Sequence, residues 1–467
     1  MRTWIKVSLL TVLAFGVCWG GAIWYWRANN RVPATSDLLL LLIVLPLALL
    51  LAIWLGSKLL AVLTAAPAVA AATPGAAVPE PAPKAGPVLT VVASALRAPH
   101  GESAQELSEA IAASKARADL DPELFDGEGF PVMSMRVSEA GEVRQEEVMS
   151  DWLREQDMGQ LRFSPEQWRA LALGSAVVAE LAGQAASHAL LEEGEVPPGS
   201  PRKPSVLPVL QLLPVFPLDW NSQQRHAASQ WFVRILTEAG WPANRIAAST
   251  DSIDVSAPAL LGRLAQFQQR EGAPCLALLL ACASQIGDES ISHLAARGTL
   301  FSATNPDGQI PGEGAAGLLL ADALQASHLV SADQMELHGL QEGLRNSSAD
   351  DGKRASSALL GELIAQTLSG GKQDAAEVTM LVADSGPRNS RVMELMGVAS
   401  AALPQLDHGA DVIAAGVGSG SSGPLAFFTA LALAQHEATS RAGPVLCVSN
   451  EDPYRRYSVL LKPALAV

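Results

Sequence analysis

CLALLLAC, residues Cys275–Cys282, is eight residues long and contains no polar side chain. It is too short for a helix of the core and far too short to cross a bilayer. Such a run is expected for a strand buried on both faces, as in a parallel sheet covered by helices. The neighbouring stretches supply the covers. Pro258–Glu271 before it reads as a helix, and so does Ser222–Gly240, which glycine ends. Ser164-Pro165-Glu166 opens another helix, reaching about Glu193, with an N-cap serine, a proline at the first helical position and an early carboxylate.

The same alternation continues on both sides. Towards the N-terminus, Val88–Ala93 reads as a strand and Ser103–Ala116 as a capped helix. Val206–Phe216 is a strand-like apolar run interrupted by prolines, which argues against a regular central strand throughout. Towards the C-terminus, Val378–Ala383, Asp411–Ala415, Pro444–Ser449 and Ser458–Lys462 read as strands. Leu329–Arg345, Ser356–Leu368, Arg391–Ala402 and Pro424–Ala438 read as helices. Alternating apolar strands and helices give an α/β layered fold. Residues 120–160 and 285–315 follow no clear period, and no short internal repeat is visible.

Composition bounds the rest. The chain has 467 residues, 49% hydrophobic and 17% charged, which excludes a disordered protein. With 47 acidic and 32 basic residues the net charge is −15, against a nucleic-acid-binding surface. Four scattered cysteines form neither a disulfide framework nor a metal clip, and the eight histidines show no ligand spacing, so no metal and no cofactor is expected.

The N-terminal residues differ in kind. Residues 7–26 and 38–57 are uncharged runs of 20, each long enough to span a bilayer, and five of the ten tryptophans fall in or beside them. Residues 1–60 therefore read as a two-helix transmembrane hairpin, with a cleaved signal peptide as the competing reading of the first run. Arg2, Lys6 and Lys58 on one side against Arg27 and Arg31 on the other favour cytoplasmic termini. Residues 61–87 form an Ala/Pro-rich linker of polyproline character. Residues 88–467 are then one large domain. From residue 91 onward 45 acidic and 26 basic side chains give a net of −19, which disfavours contact with anionic lipid.

Three local patterns invite a chemical reading. Gly418-Ser-Gly420-Ser-Ser-Gly423 follows one strand and precedes one helix, as a phosphate-binding glycine loop does, but only 44 residues remain after it. The plainer role is a tight turn. Cys282, at the end of an apolar strand, is expected to behave as a small buried hydrophobe. Ser256 stands just before Pro258 at a helix start, as an N-cap or as a nucleophile lacking a local histidine.

FSATNPDGQIPGEGAAGLLL, residues 301–320, resembles the "F…PDG…GEGAA" segment of the β-ketoacyl synthases and the strand after it. CLALLLACAS, SSGPLAFFTALALA, GPVLCVSN and YSVLLKP resemble further segments of that family in the same order. The resemblance spans roughly residues 88–467 and implies a thiolase-like fold, commonly dimeric, in which Glu313 joins backbone at the core. The family's chemistry implies a cysteine at a helix start and two histidines. Here the matching places hold Val255 or Ser256, Asp384, and the stretch around Ser419. The resemblance thus implies a pseudoenzyme; if the domain is active, Ser256, Asp384 and Ser419 are the candidates. The layout of anchor, linker and acidic thiolase-like domain resembles the adaptors of type VI secretion lipase effectors. It implies a bacterial inner-membrane protein with a cytoplasmic domain that binds a protein cargo, a secreted effector. The alternative is acyl transfer from a rearranged site.

Overall fold

The computed structural model describes residues 89–192, 207–249, 256–271, 274–331, 333–351, 356–421 and 423–464, together with Trp19 and Arg27. Apart from Trp19 and Arg27, the expected transmembrane hairpin and linker lie outside the described residues. Among the described residues no helix is long and apolar enough to cross a membrane. The fold below is that of the compact unit Pro83–Val467.

The elements run β1 (Leu89–Arg97), α1 (Ala104–Ala112), β2 (Asp119–Phe125), β3 (Pro131–Ser134), α2 (Glu142–Glu155), α3 (Pro165–Ala186), α4 (Ala189–Glu192), β4 (Leu210–Val215), α5 (Ser222–Glu238), β5 (Ile246–Ala248), α6 (Ala257–Glu271) and β6 (Leu276–Ser284). There follow α7 (Asp288–Ala296), β7 (Glu313–Ala321), α8 (Ala323–Ser327), β8 (Met335–Leu344), α9 (Ala358–Gly370), β9 (Met380–Ala383), α10 (Asn389–Ala402), β10 (Val412–Ala414), α11 (Ala415–Ser419), α12 (Leu425–Arg441), β11 (Val445–Ser449) and β12 (Arg455–Pro463). Ten strands form one mixed sheet in the order β10-β9-β11-β12-β8-β1-β7-β6-β4-β5, and β2 pairs with β3 apart from it.

That order hides a duplication. In the first half β4 is parallel to β5 and β6, β6 is antiparallel to β7, and β7 is antiparallel to β1. In the second half β9 is parallel to β10 and β11, β11 is antiparallel to β12, and β12 is antiparallel to β8. The halves meet where β1 pairs with β8 over Leu89–Val91. The sequence shows no short repeat because the similarity is one of topology.

Side-chain alternation along each strand builds the layers. From β6, Ala277, Leu279 and Ala281 face a central core with Leu261 and Leu264 of α6 and Phe428 and Leu431 of α12. The intervening Leu276, Leu278 and Leu280 face Val177 and Leu181 of α3 and Phe232 of α5. In the second half Leu381, Leu446 and Leu460 pack on Leu360 and Ile364 of α9 and Leu395 of α10. The stacking is helices, the first half of the sheet, the pair α6 and α12, the second half of the same sheet, helices. CLALLLAC is buried on both faces because it lies between two of these helical layers.

One expected element differs. Leu329–Arg345 reads as a helix, yet β8 occupies Met335–Leu344, held between β1 and β12. Sheet pairing overrides local propensity there, and Gly339, with φ +60°, and Gly343 already weaken a helix. Of the proline-containing stretch 206–216, only Leu210–Val215 is a strand. Pro214 lies inside β4, paired in register with Leu280 of β6.

Candidate functional site

The helices α6 and α12 begin at the same place, and a cavity of about 490 Å³ opens there. Its walls come from the start of α6 (Ser256, Ala257, Pro258), the start of α12 (Pro424, Ala426, Phe427) and the segment 215–218 at the end of β4. Asp384 follows β9, while Ser449, Glu451, Arg455 and Tyr457 come from the end of β11 and the start of β12. The carboxyl ends of parallel strands and the amino ends of helices are where α/β sheets place ligands. The lining is mostly apolar, with three prolines and the rings of Phe216 and Phe427.

The structure brings two of the three candidate residues to this cavity, Ser256 and Asp384, and not the third. Ser419 closes α11, is 1% exposed and donates to the Ala415 carbonyl at 3.2 Å. It lies behind the wall.

Ser256 is committed to its neighbours. Its Oγ accepts the Ala259 amide at 3.4 Å, capping α6, and lies 3.1 Å from the Tyr457 hydroxyl. Tyr457 donates to Glu342 Oε1 at 3.0 Å and receives Arg455 Nη1 at 3.4 Å, so the serine proton points at the phenol. Burial pushes the Tyr457 phenol above its usual range. A phenol that keeps its proton is no base for a serine.

Asp384 is buried at 4% exposed. Its Oδ2 accepts the Ser449 hydroxyl at 2.5 Å, and its Oδ1 accepts the amides of Asn450 at 2.8 Å and Glu451 at 3.1 Å. Burial raises its pKa to about 6, with the neighbouring Glu451 carboxylate adding to the effect and the three hydrogen bonds opposing it. None of its hydrogen bonds goes to Ser256. Arg388 lines the same cavity and is paired with Glu451 and, at 3.2 Å, with Asp350.

Among the described residues, the cavity lining includes no cysteine and no histidine. The described cysteines, Cys275, Cys282 and Cys447, are buried and unpaired. Burial pushes the Cys282 thiol up to about 12, and its sulfur packs against Gly174 of α3. It is a packed side chain of β6, as its apolar context implied. Among the described residues no group of three His, Cys, Asp or Glu converges as a metal site.

The glycine loop folds as a close approach of two backbone segments. Gly418 lies inside α11 with its Cα side against Leu107, Ile111 and Ala116, rather than at a strand-to-helix turn. Gly420, at φ +69°, meets Gly312, and a Cβ on Gly312 would fall 2.1 Å from the Ser419 carbonyl oxygen. Gly423, at φ +62°, turns the chain into α12 and lines the cavity. Backbone contact with residues 310–312 explains Gly420, and the positive φ of the turn explains Gly423.

Glu313, between Gly312 and Gly314, is fully buried. Arg169 of α3 grips it with two bonds of 2.8 and 2.6 Å, and Val137 N–H and Ser284 Oγ donate at 2.8 and 2.9 Å. It joins backbone and side chains at the core, as its motif implied. Residues that sequence reasoning missed are Tyr457, Glu342, Arg455, Arg388 and Glu451. They lie on four separate segments, and no local pattern links them.

No family model matches this sequence, and no curated protein matches it. Solved structures do. The ketosynthase from module 6 of the bacillaene synthase of Bacillus subtilis 168 superposes with a TM-score of 0.56 at 10% identity, over 81% of this chain and 72% of that one. The fold is that of the ketosynthases. The ketosynthase from module 1 of the bacillaene synthase of Bacillus amyloliquefaciens FZB42 gives a TM-score of 0.53 at 12% identity, over 82% and 74%. A type II polyketide synthase acyl-carrier protein in complex with its ketosynthase bound to the hexaketide gives 0.50 at 13%, over 81% and 100%. Identities this low show a shared fold alone.

Proposed function

We propose that this chain is a ketosynthase-like binding domain that performs no acyl transfer. In this reading it is a membrane-anchored adaptor of the bacterial inner membrane. Its cytoplasmic domain holds a protein cargo, a secreted effector, for delivery to a secretion machine. One observation supports the loss of chemistry. The two candidate groups on the cavity are each bound to structural partners, Ser256 to Tyr457 and the α6 amide, Asp384 to Ser449 and two backbone amides. A nucleophile needs a base in contact, and Ser256 has none among its hydrogen-bond partners. The cargo and the anchor rest on the sequence layout; the Ala/Pro linker would let the domain search near the membrane.

The comparisons favour a second reading, acyl transfer from a rearranged site. The structures described above are ketosynthases, one of them bound to an acyl-carrier protein. Ser256 also stands at the start of α6, where the resemblance implies the nucleophile. The two readings separate in one experiment. Purified full-length protein incubated with acyl thioesters releases thiol no faster than the thioester alone under the first reading. Turnover that Ser256→Ala abolishes would establish the second. A stoichiometric complex with an effector would support the first.

A further inference from the structure

The two topological halves are not equal in content. Between β1 and α3 the first half carries α1, the β2–β3 hairpin and α2. The corresponding connection of the second half, residues 345–357 between β8 and α9, has neither strand nor helix among its described residues. The additional segment is also different in charge. Residues 119–157 hold twelve carboxylates against Arg136, Arg144 and Arg154, a net of −9 and nearly half of the −19 carried from residue 91 onward.

Its inner side is fixed to the core. Arg136 donates to Asp121 through Nε at 2.9 Å and Nη2 at 3.0 Å. Met135 N–H bonds the Pro311 carbonyl at 2.8 Å, and Val137 N–H reaches buried Glu313. Met149, Trp152 and Leu153 bury the inner face of α2. The outer side is apolar and exposed. Leu120 is 57% exposed, Phe125 49% and Phe130 62%. The turn that carries both phenylalanines is braced, because Asp126 Oδ1 accepts the amides of Glu128 and Phe130, each at 2.9 Å. Val143, on the outer face of α2, is 68% exposed. Apolar side chains held out by a rigid turn mark an interaction surface.

The charges choose the partner. Asp119, Glu123, Asp126 and Glu128 are interleaved with these apolar side chains. Anionic lipid and nucleic acid are repelled by such a face. A second copy meeting it across a two-fold axis would bring like charges together. We infer that the outer face of residues 119–130, centred on Phe125 and Phe130, docks a protein whose apolar groove is rimmed by lysine and arginine. This rests on the cargo-binding reading and assigns the cargo to this face rather than to the cavity at Ser256.

The test uses the full-length chain in its native membrane, with the photo-crosslinker p-benzoylphenylalanine in place of Phe130. A control carries it in place of Val330, which is 79% exposed elsewhere. The expected result is one protein adduct at position 130, at least about tenfold above position 330. Its crosslinked peptide should lie among lysines and arginines. The yield should fall severalfold between about 50 and about 500 mM NaCl, over which the screening length shortens roughly threefold. It should fall again with Glu128→Lys and Asp119→Lys, both at exposed positions. An adduct with lipid or with a second copy, a salt-insensitive adduct, or none above control would overturn the inference. The cavity-filling Ala426→Trp should leave the adduct unchanged; its loss would move the cargo to the cavity. Thioester turnover with the salt-sensitive adduct intact would overturn the non-catalytic reading and leave the docking face standing. A stoichiometric effector crosslinked only elsewhere would overturn the docking face alone.

Discussion

Glu313 and Asp384 are both buried carboxylates at strand ends, and they live in opposite electrostatic settings. Glu313 opens β7 and faces the Arg169 guanidinium, with a backbone amide and a serine hydroxyl completing its partners. Asp384 closes β9 and has hydroxyl and amide donors, no arginine among them, and the Glu451 carboxylate nearby. The first is tied to the core through the Arg169 guanidinium. The absence of one from the second set of bonds leaves a carboxyl that titrates near neutrality. The first centre holds the fold together. The second lines the cavity where the resemblance implies chemistry, and its bonds are spent on the β11–β12 connection.

The largest effect should follow from breaking the paired centre. Glu313→Ala leaves Arg169 buried beside only Glu142 and the Val137 carbonyl. Loss of one partner of such a pair costs about 3–5 kcal/mol. Urea denaturation should show a lower midpoint with an unchanged slope. A loss below about 1 kcal/mol would mean that the site relaxes or that water replaces the carboxylate.

Asp384 should give a smaller effect with a pH signature. Its folded pKa of about 6 lies above the unfolded value of 3.8. The folded state therefore binds the extra proton, and stability is fully present below about pH 4 and declines as pH rises through 6. The whole change is about 3 kcal/mol. Asp384→Asn mimics the protonated form, so it should match the wild type near pH 4 and exceed it at pH 8. Stability curves for the two proteins that run parallel from pH 4 to 8 would contradict this.

Ser256→Ala should be milder, about 1 kcal/mol for a lost helix cap, with thermal unfolding as the readout. Smallest of all is Cys282. A thiol pushed up to about 12 inside β6 should resist alkylation in the native protein at pH 8 and react only on unfolding. Rapid labelling of native Cys282 would show that β6 is less enclosed than described.

The layered α/β class was legible because its signals are local. CLALLLAC is apolar over eight residues, and Ser164-Pro165 starts a helix whatever surrounds it. The Glu313 centre was legible only through the resemblance of Gly312-Glu313-Gly314 to the ketoacyl synthase motif. β8 was not legible, because its strand state comes from β1 and β12, far away in sequence. The cavity was half legible. Ser256 and Asp384 were found through order along the chain, but Ser419 was placed there too, and a turn of helix puts it behind the wall. Tyr457 was missed because its 3.1 Å contact with Ser256 spans 201 residues. The acidic hairpin was visible only as irregular sequence, since β2 is read from its pairing with β3 and not from any period.

The central claim is that the ketosynthase-like cavity has no working nucleophile. Intact-mass analysis of the full-length protein after incubation with acyl thioesters tests it most directly. The account predicts an unchanged mass over hours, in wild type and in Ser256→Ala alike. A stoichiometric acyl adduct on Ser256, absent from Ser256→Ala, would contradict it.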